Sequence, residues 1–177
     1  MRKFFVLFAS LLLMISLLSC KSGKKPDISG TWEADIMLKS DLAEPSTTGD
    51  IVKAFLYTKQ NIVLTFSERG RFSKKVLQEV DRVEFISSSE DVEAAKEYFS
   101  RYCNKDLVFS GEYEQKSSII VFEVSKVQST GEEVVSYDEY FAKDPSIGAD
   151  NYCENYEMKD GDLILNGVKF KKIERKE

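Results

Sequence analysis

Three cysteines and a scatter of carboxylates carry most of the chemistry this chain can offer, because its 177 residues include no histidine. Without an imidazole, the Ser-His-Asp and Cys-His designs of nucleophilic catalysis have no base, and a usual zinc site loses its nitrogen ligands. Adjacent carboxylates such as Glu132-Glu133 or Asp138-Glu139 could act as acid and base in glycoside cleavage, which needs two such groups at a set separation. In a chain with 31% charged residues, such doublets ordinarily face solvent, and nothing raises one above the rest. Asp144 to Asp150 lacks the alternating oxygen ligands and closing glutamate of an EF-hand loop. No catalytic residue, metal or cofactor is expected, and the chain reads as non-enzymatic.

The first cysteine stands at a boundary. Arg2 and Lys3 precede an apolar run from Phe4 to Leu18, broken only by Ala9, Ser10 and Ser16, and Cys20 follows closely. The run falls short of the ~20 residues that a spanning helix needs and has the layout of a secretory leader; a small transmembrane anchor is the competing reading. Leu17-Leu18-Ser19-Cys20 resembles a bacterial lipobox. That resemblance implies cleavage before Cys20 and acylation of its thiol, palmitate included. The protein would then be anchored in the cell envelope, on the outer membrane where a cell has two. Several acyl chains at ~0.8 kcal/mol per buried methylene hold a protein on a bilayer almost permanently. Residues 1–19 are therefore expected to be a signal peptide. Residues 20–27 are expected to be the lipidated cysteine and a flexible tether, reaching roughly 25 Å at ~3.5 Å per residue.

Export would leave Cys103 and Cys153 in an oxidising compartment, where two remaining thiols are expected to pair. Both follow a tyrosine. A bridge closing so long a loop would contribute about 3–4 kcal/mol in the chain-entropy model. Two buried free thiols are the alternative.

The elements that must position any site begin at Ile28. Ser29-Gly30-Thr31-Trp32-Glu33 leads into a first strand, and the pattern of Ser110-Gly111-Glu112-Tyr113-Glu114 echoes it. Between Asp50 and Lys59, Ile51, Ala54, Phe55 and Thr58 suit a helix, whereas Val52, Ala54 and Leu56 suit a strand; a short helix is the expectation. Ile62 to Phe66 is a strand, Ser67-Glu68-Arg69-Gly70 a hairpin loop, and the return strand shifts phase between Val80 and Val83, consistent with a bulge. Ser87 and Glu90 form a capping box ahead of Val92, Ala95, Phe99 and Tyr102, which recur at helical spacing. Alternation then returns around Phe109, Phe122 and the set Val135, Tyr137, Glu139, Phe141. Asp160-Gly161 and Asn166-Gly167 mark two tight hairpins that join the last three strands into a meander. The net charge of −5 provides no footprint for nucleic acid.

Short strands, glycine turns and few prolines predict an all-β antiparallel barrel or sandwich. On Gly30-Thr31-Trp32, Leu64-Thr65-Phe66 through Arg71-Phe72, and Asp160-Gly161-Asp162-Leu163-Ile164-Leu165, the chain resembles the lipocalin-like lipoproteins of Bacteroidetes-type bacteria. The resemblance implies a lipocalin-like β-barrel over residues 28–174, with one or two short helical insertions. It further implies that Trp32 plugs one end against a cation from the last strand, with Lys169, Lys171 and Lys172 as candidates.

Two functions follow as expectations. In the first, the barrel holds a small apolar or amphipathic ligand lined by Phe66, Phe72, Phe109, Tyr113 and Phe122, since eight strands can enclose one small molecule. In the second, those side chains fill the interior, and the lipoprotein contacts protein or glycan through loops bearing Tyr140, Phe141, Tyr152 and Tyr156. A void above ~300 Å³ separates the two readings. The membrane, through the lipid, is the one partner read from the chain; a protein partner stays unidentified.

Overall fold

From Ala54 to Phe66 every second side chain is buried or half-buried, and the same alternation runs from Trp32 to Ile36. A period of two over so many residues demands a sheet with one covered face. The computed structural model describes residues 25–45, 51–85 and 92–174. Along them lie β1 (Gly30–Pro45), β2 (Ile51–Phe66), β3 (Arg71–Phe85), α1 (Val92–Cys103), β4 (Lys105–Gln115) and β5 (Ile119–Ser129). There follow β6 (Val135–Ser136), α2 (Tyr137–Lys143), a 3₁₀ turn (Pro145–Ile147), β7 (Asn151–Lys159), β8 (Asp162–Leu165) and β9 (Val168–Ile173).

The sheet order is β4-β3-β2-β1-β9-β8-β7-β5-β6, and β4 also pairs with β5. With β6 a two-residue appendage, the other eight strands close into an antiparallel, up-and-down barrel. The fold is all-β and lipocalin-like in architecture, with two short helices among the described residues. Every barrel strand and closing ladder falls within residues 30–173, so a chain starting at Lys21 contains the whole fold. Residues 1–19, expected to be a signal peptide, Cys20, the expected Ser87–Glu90 capping box and Arg175 lie outside the described residues.

The two hairpins have the expected chemistry. Asp160 and Gly161 take φ of 54° and 86°, and Asn166 and Gly167 take 46° and 84°. Such angles at both central positions match the right-handed twist of the flanking strands. The phase shift in the third strand is a bulge: Tyr57 pairs with Arg82 and Thr58 with Val80, leaving Asp81 without a partner in the ladder.

Several expectations are corrected. Residues 51–59 are strand, not helix, because β1 and β2 pair in unbroken register from Gly30↔Phe66 to Pro45↔Ile51; a continuous ladder outweighs a weak helical spacing. The Val135–Phe141 alternation is mostly helix. Ser136 caps α2 by accepting a hydrogen bond from the Glu139 amide at 3.3 Å, as a Ser-x-x-Glu box does. In α1 the inward side is Ala95, Phe99 and Cys103, packed on Ala54, Leu56, Val80 and Val83, while Tyr102 is 68% exposed.

The Cys103–Cys153 bridge is also corrected: both thiols are free. Cys103 ends α1 just before Lys105 starts β4, whereas Cys153 pairs with Val121, which lies opposite Glu114 near the far end of β4. Lys105 to Glu114 spans roughly 30 Å at ~3.3 Å per residue, and a disulfide needs Cα atoms within about 7 Å.

Candidate functional site

One end of the barrel is shut by its own entrance. Residues 25–29 cross it, Ile28 is buried, and the Trp32 indole donates to the Ile28 carbonyl at 2.8 Å. Gln115 donates to the Pro26 carbonyl at 2.8 Å and thereby holds this strap to β4. Lys172, on β9 opposite Trp32, places its ammonium 5.3 Å from the indole ring, within the range of a cation–π contact. The space between is tight. A Cβ on Gly30 would stand 2.9 Å from Lys172 Cε, and Gly30 holds φ at +115°, a region that favours glycine.

Above this plug the interior is filled with rings. Phe66 meets Tyr113 edge-on at 4.8 Å and Phe122 at 6.0 Å, and Phe122 meets Phe72 at 4.9 Å. The Tyr113 hydroxyl donates to the Ser67 carbonyl at 2.9 Å, so its one polar atom is satisfied at the barrel rim. Each buried ring contributes about 1.5–3 kcal/mol. Phe66, Phe72, Tyr113 and Phe122 therefore serve as packing.

Filling stops partway along the barrel. A cavity of about 390 Å³ opens beyond the rings, and Phe109 is the one of the five expected lining residues that borders it. Its apolar wall is Ile62, Val76, Phe109 and Val124; its polar wall is Gln60, Lys74, Tyr152 and Glu154. These side chains sit on the inward phase of β2, β3, β4, β5 and β7. Ile147 and Gly148, beyond the 3₁₀ turn's start, cover one side. The cover is tied down, because the Tyr137 hydroxyl of α2 donates to the Gly148 carbonyl and Ile147 packs on the core.

Charge inside the cavity is concentrated at one spot. Lys74 Nζ lies 3.5 Å from Glu154 Oε1, with side chains 22% and 16% exposed. The ammonium also stands 5.3 Å from the Tyr152 ring, which stacks on Phe122 at 4.8 Å and 15°. Burial drives the Tyr152 phenol well above its ordinary range, and the Glu154 charge adds to the shift. Beside the pair, the Gln60 and Gln78 amides bond each other, and Gln78 also donates to the Cys103 carbonyl at 2.6 Å. That contact links the cavity wall to the end of α1.

The remaining sequence candidates lie elsewhere. Glu132, Glu133, Asp138 and Glu139 are exposed on the outside. Among the described residues no His, Cys, Asp and Glu cluster could hold a metal ion, and no helix is long and apolar enough to cross a membrane. Of the tyrosines expected on a loop surface, Tyr156 is buried and Tyr140 and Tyr152 pack on the core, leaving Phe141 exposed. Lys74 and Glu154 had no place among the sequence candidates. The available signal was a charged residue at an inward position, Lys74 between Phe72 and Val76 and Glu154 between Tyr152 and Tyr156.

No protein-family model, curated protein or solved structure matches the chain.

Proposed function

We propose that this protein is a lipid-anchored lipoprotein of a bacterial envelope whose barrel carries a small amphipathic ligand without transforming it. The observation that carries the binding reading is the cavity of about 390 Å³ with an apolar and a polar wall. Its size lies at the small end of ligand pockets, which run from ~300 to ~1,000 Å³. One short chain or ring fits; a diacyl lipid does not. The loop-contact alternative is weakened by the inward turn of Tyr140, Tyr152 and Tyr156.

Anchoring and cavity fit one arrangement. The tether enters at the plugged end, where residues 25–29 cross the barrel. A lipid on Cys20 would hold that end towards the outer membrane and leave the hollow half facing away, free to exchange ligand with water. Two measurements test the proposal. Cys20→Ala should move the product from the detergent-soluble to the aqueous fraction; an unchanged partition would refute the anchor. Native mass spectrometry of the chain from Lys21 onward should show one octanol bound per barrel, and no adduct at any concentration would refute the carrier.

A further inference from the structure

Among the described residues, Lys74 and Glu154 are the two charged ones lining the cavity, and together they make its wall neutral but strongly polarised. A singly charged ligand meets a conflict there. A carboxylate could take the Lys74 ammonium only by facing the Glu154 carboxylate 3.5 Å away and stripping it of its partner. A cation meets the mirror problem at Lys74. The cleft is half-open, but the Lys74 and Glu154 side chains are only 22% and 16% exposed, so leaving either charge unpaired is costly. A ligand with both charges side by side avoids it, since its carboxylate can face Lys74 while its ammonium faces Glu154. Four charges then alternate in sign.

The spacing fits a particular class. In an α-amino acid the ammonium nitrogen and the carboxylate oxygens are three bonds and roughly 3 Å apart, close to the 3.5 Å between Lys74 and Glu154. The apolar wall of Ile62, Val76, Phe109 and Val124 then faces the side chain. Resting on the carrier reading above, we propose that the ligand is a small zwitterion of the α-amino acid type with an apolar side chain, held at its charged end by Lys74 and Glu154.

Calorimetric titration of the chain from Lys21 onward tests this with leucine, isocaproate (the ammonium removed) and leucinamide (the carboxylate removed). Leucine is expected to bind at least tenfold more tightly than either analogue. Lys74→Met and Glu154→Gln should each weaken leucine at least tenfold, with an unchanged far-UV circular dichroism spectrum and cooperative thermal unfolding certifying that the variants fold. The swapped pair Lys74→Glu/Glu154→Lys should retain the preference for leucine over isocaproate. Isocaproate binding as tightly as leucine, or leucine binding indifferent to Lys74→Met, overturns the inference. If octanol binds and leucine does not, the zwitterion inference falls and the carrier reading stands; if neither binds, both fall.

Discussion

Lys74 on β3 and Glu154 on β7 meet across the barrel at 3.5 Å although β4 and β5 separate their strands in the sheet. The contact reaches over the inner face of β4 and β5, so it requires the four strands from β3 to β7 to curl around the interior. Both side chains keep some solvent contact, which moderates the energies at stake. Removing one partner strands the other. Lys74→Met is expected to cost about 1–2 kcal/mol, and Lys74→Met/Glu154→Met to recover most of that loss, because an apolar pair needs no compensation. Urea unfolding of the two single variants and the double variant measures the cycle; strict additivity would contradict a direct interaction.

The echoed glycines are predicted to be unequal. Gly111→Ala would set a Cβ 1.9 Å from the Glu123 carbonyl oxygen, at the point where the β4–β5 register shifts. No rotamer change can relieve a backbone clash, so a loss of about 3 kcal/mol or more is expected. Gly30→Ala meets the movable end of Lys172 but must hold φ at +115°, for about 1–3 kcal/mol. Trp32 is the only tryptophan, and its fluorescence on urea unfolding reports both. A Gly111→Ala midpoint equal to wild type would contradict the packing described.

Alkali should loosen the barrel through its tyrosines. Burial raises the Tyr152 phenol strongly and those of Tyr113, Tyr137 and Tyr140 to a lesser degree. A folded-state pKa above the unfolded value means that the native protein keeps a proton which the unfolded chain releases above about pH 10. Stability is therefore full below that pH and falls as pH rises through it. Tyr152→Phe is expected to flatten the fall by up to about 1.4 kcal/mol per pH unit, measured by urea unfolding between about pH 9 and 11. An unchanged slope would place the phenol in water.

Free thiols can be counted directly. Iodoacetamide applied without reductant to the native chain from Lys21 onward should modify exposed Cys153 first. Cys103 should follow slowly, because burial against the α1 contact raises its thiol pKa and lowers the thiolate fraction, with Lys105 opposing in part. Intact mass should reach two adducts. No adduct at all would restore the disulfide.

Much of this architecture is readable from local signals, and the reason is physical. Asp160-Gly161 and Asn166-Gly167 take backbone angles that few other pairs tolerate, so the final meander is written in four residues. Elsewhere two signals competed. Ile51 to Lys59 carries both periods, and only pairing with β1 decides between them. Val135 to Phe141 alternates, yet the Ser136 hydroxyl caps a helix by accepting from the Glu139 amide, and that local cap wins. The site is less legible than the fold. Phe66, Phe72 and Phe122 look like cavity lining because they face inward, but whether an interior ring fills or lines depends on its height along a closed barrel. Lys74 beside Lys75 reads as an ordinary exposed pair until the register turns one of them inside.

The hollow half of the barrel is the claim on which the proposed function rests, and blocking it is the most direct test. Val76 borders the cavity, so Val76→Trp should fill it from the wall. Octanol titrated calorimetrically into the chain from Lys21 onward is expected to occupy one site in the wild type and none in Val76→Trp, with the variant's melting temperature unchanged or higher. Equal octanol binding by the two proteins would contradict a ligand site at this position.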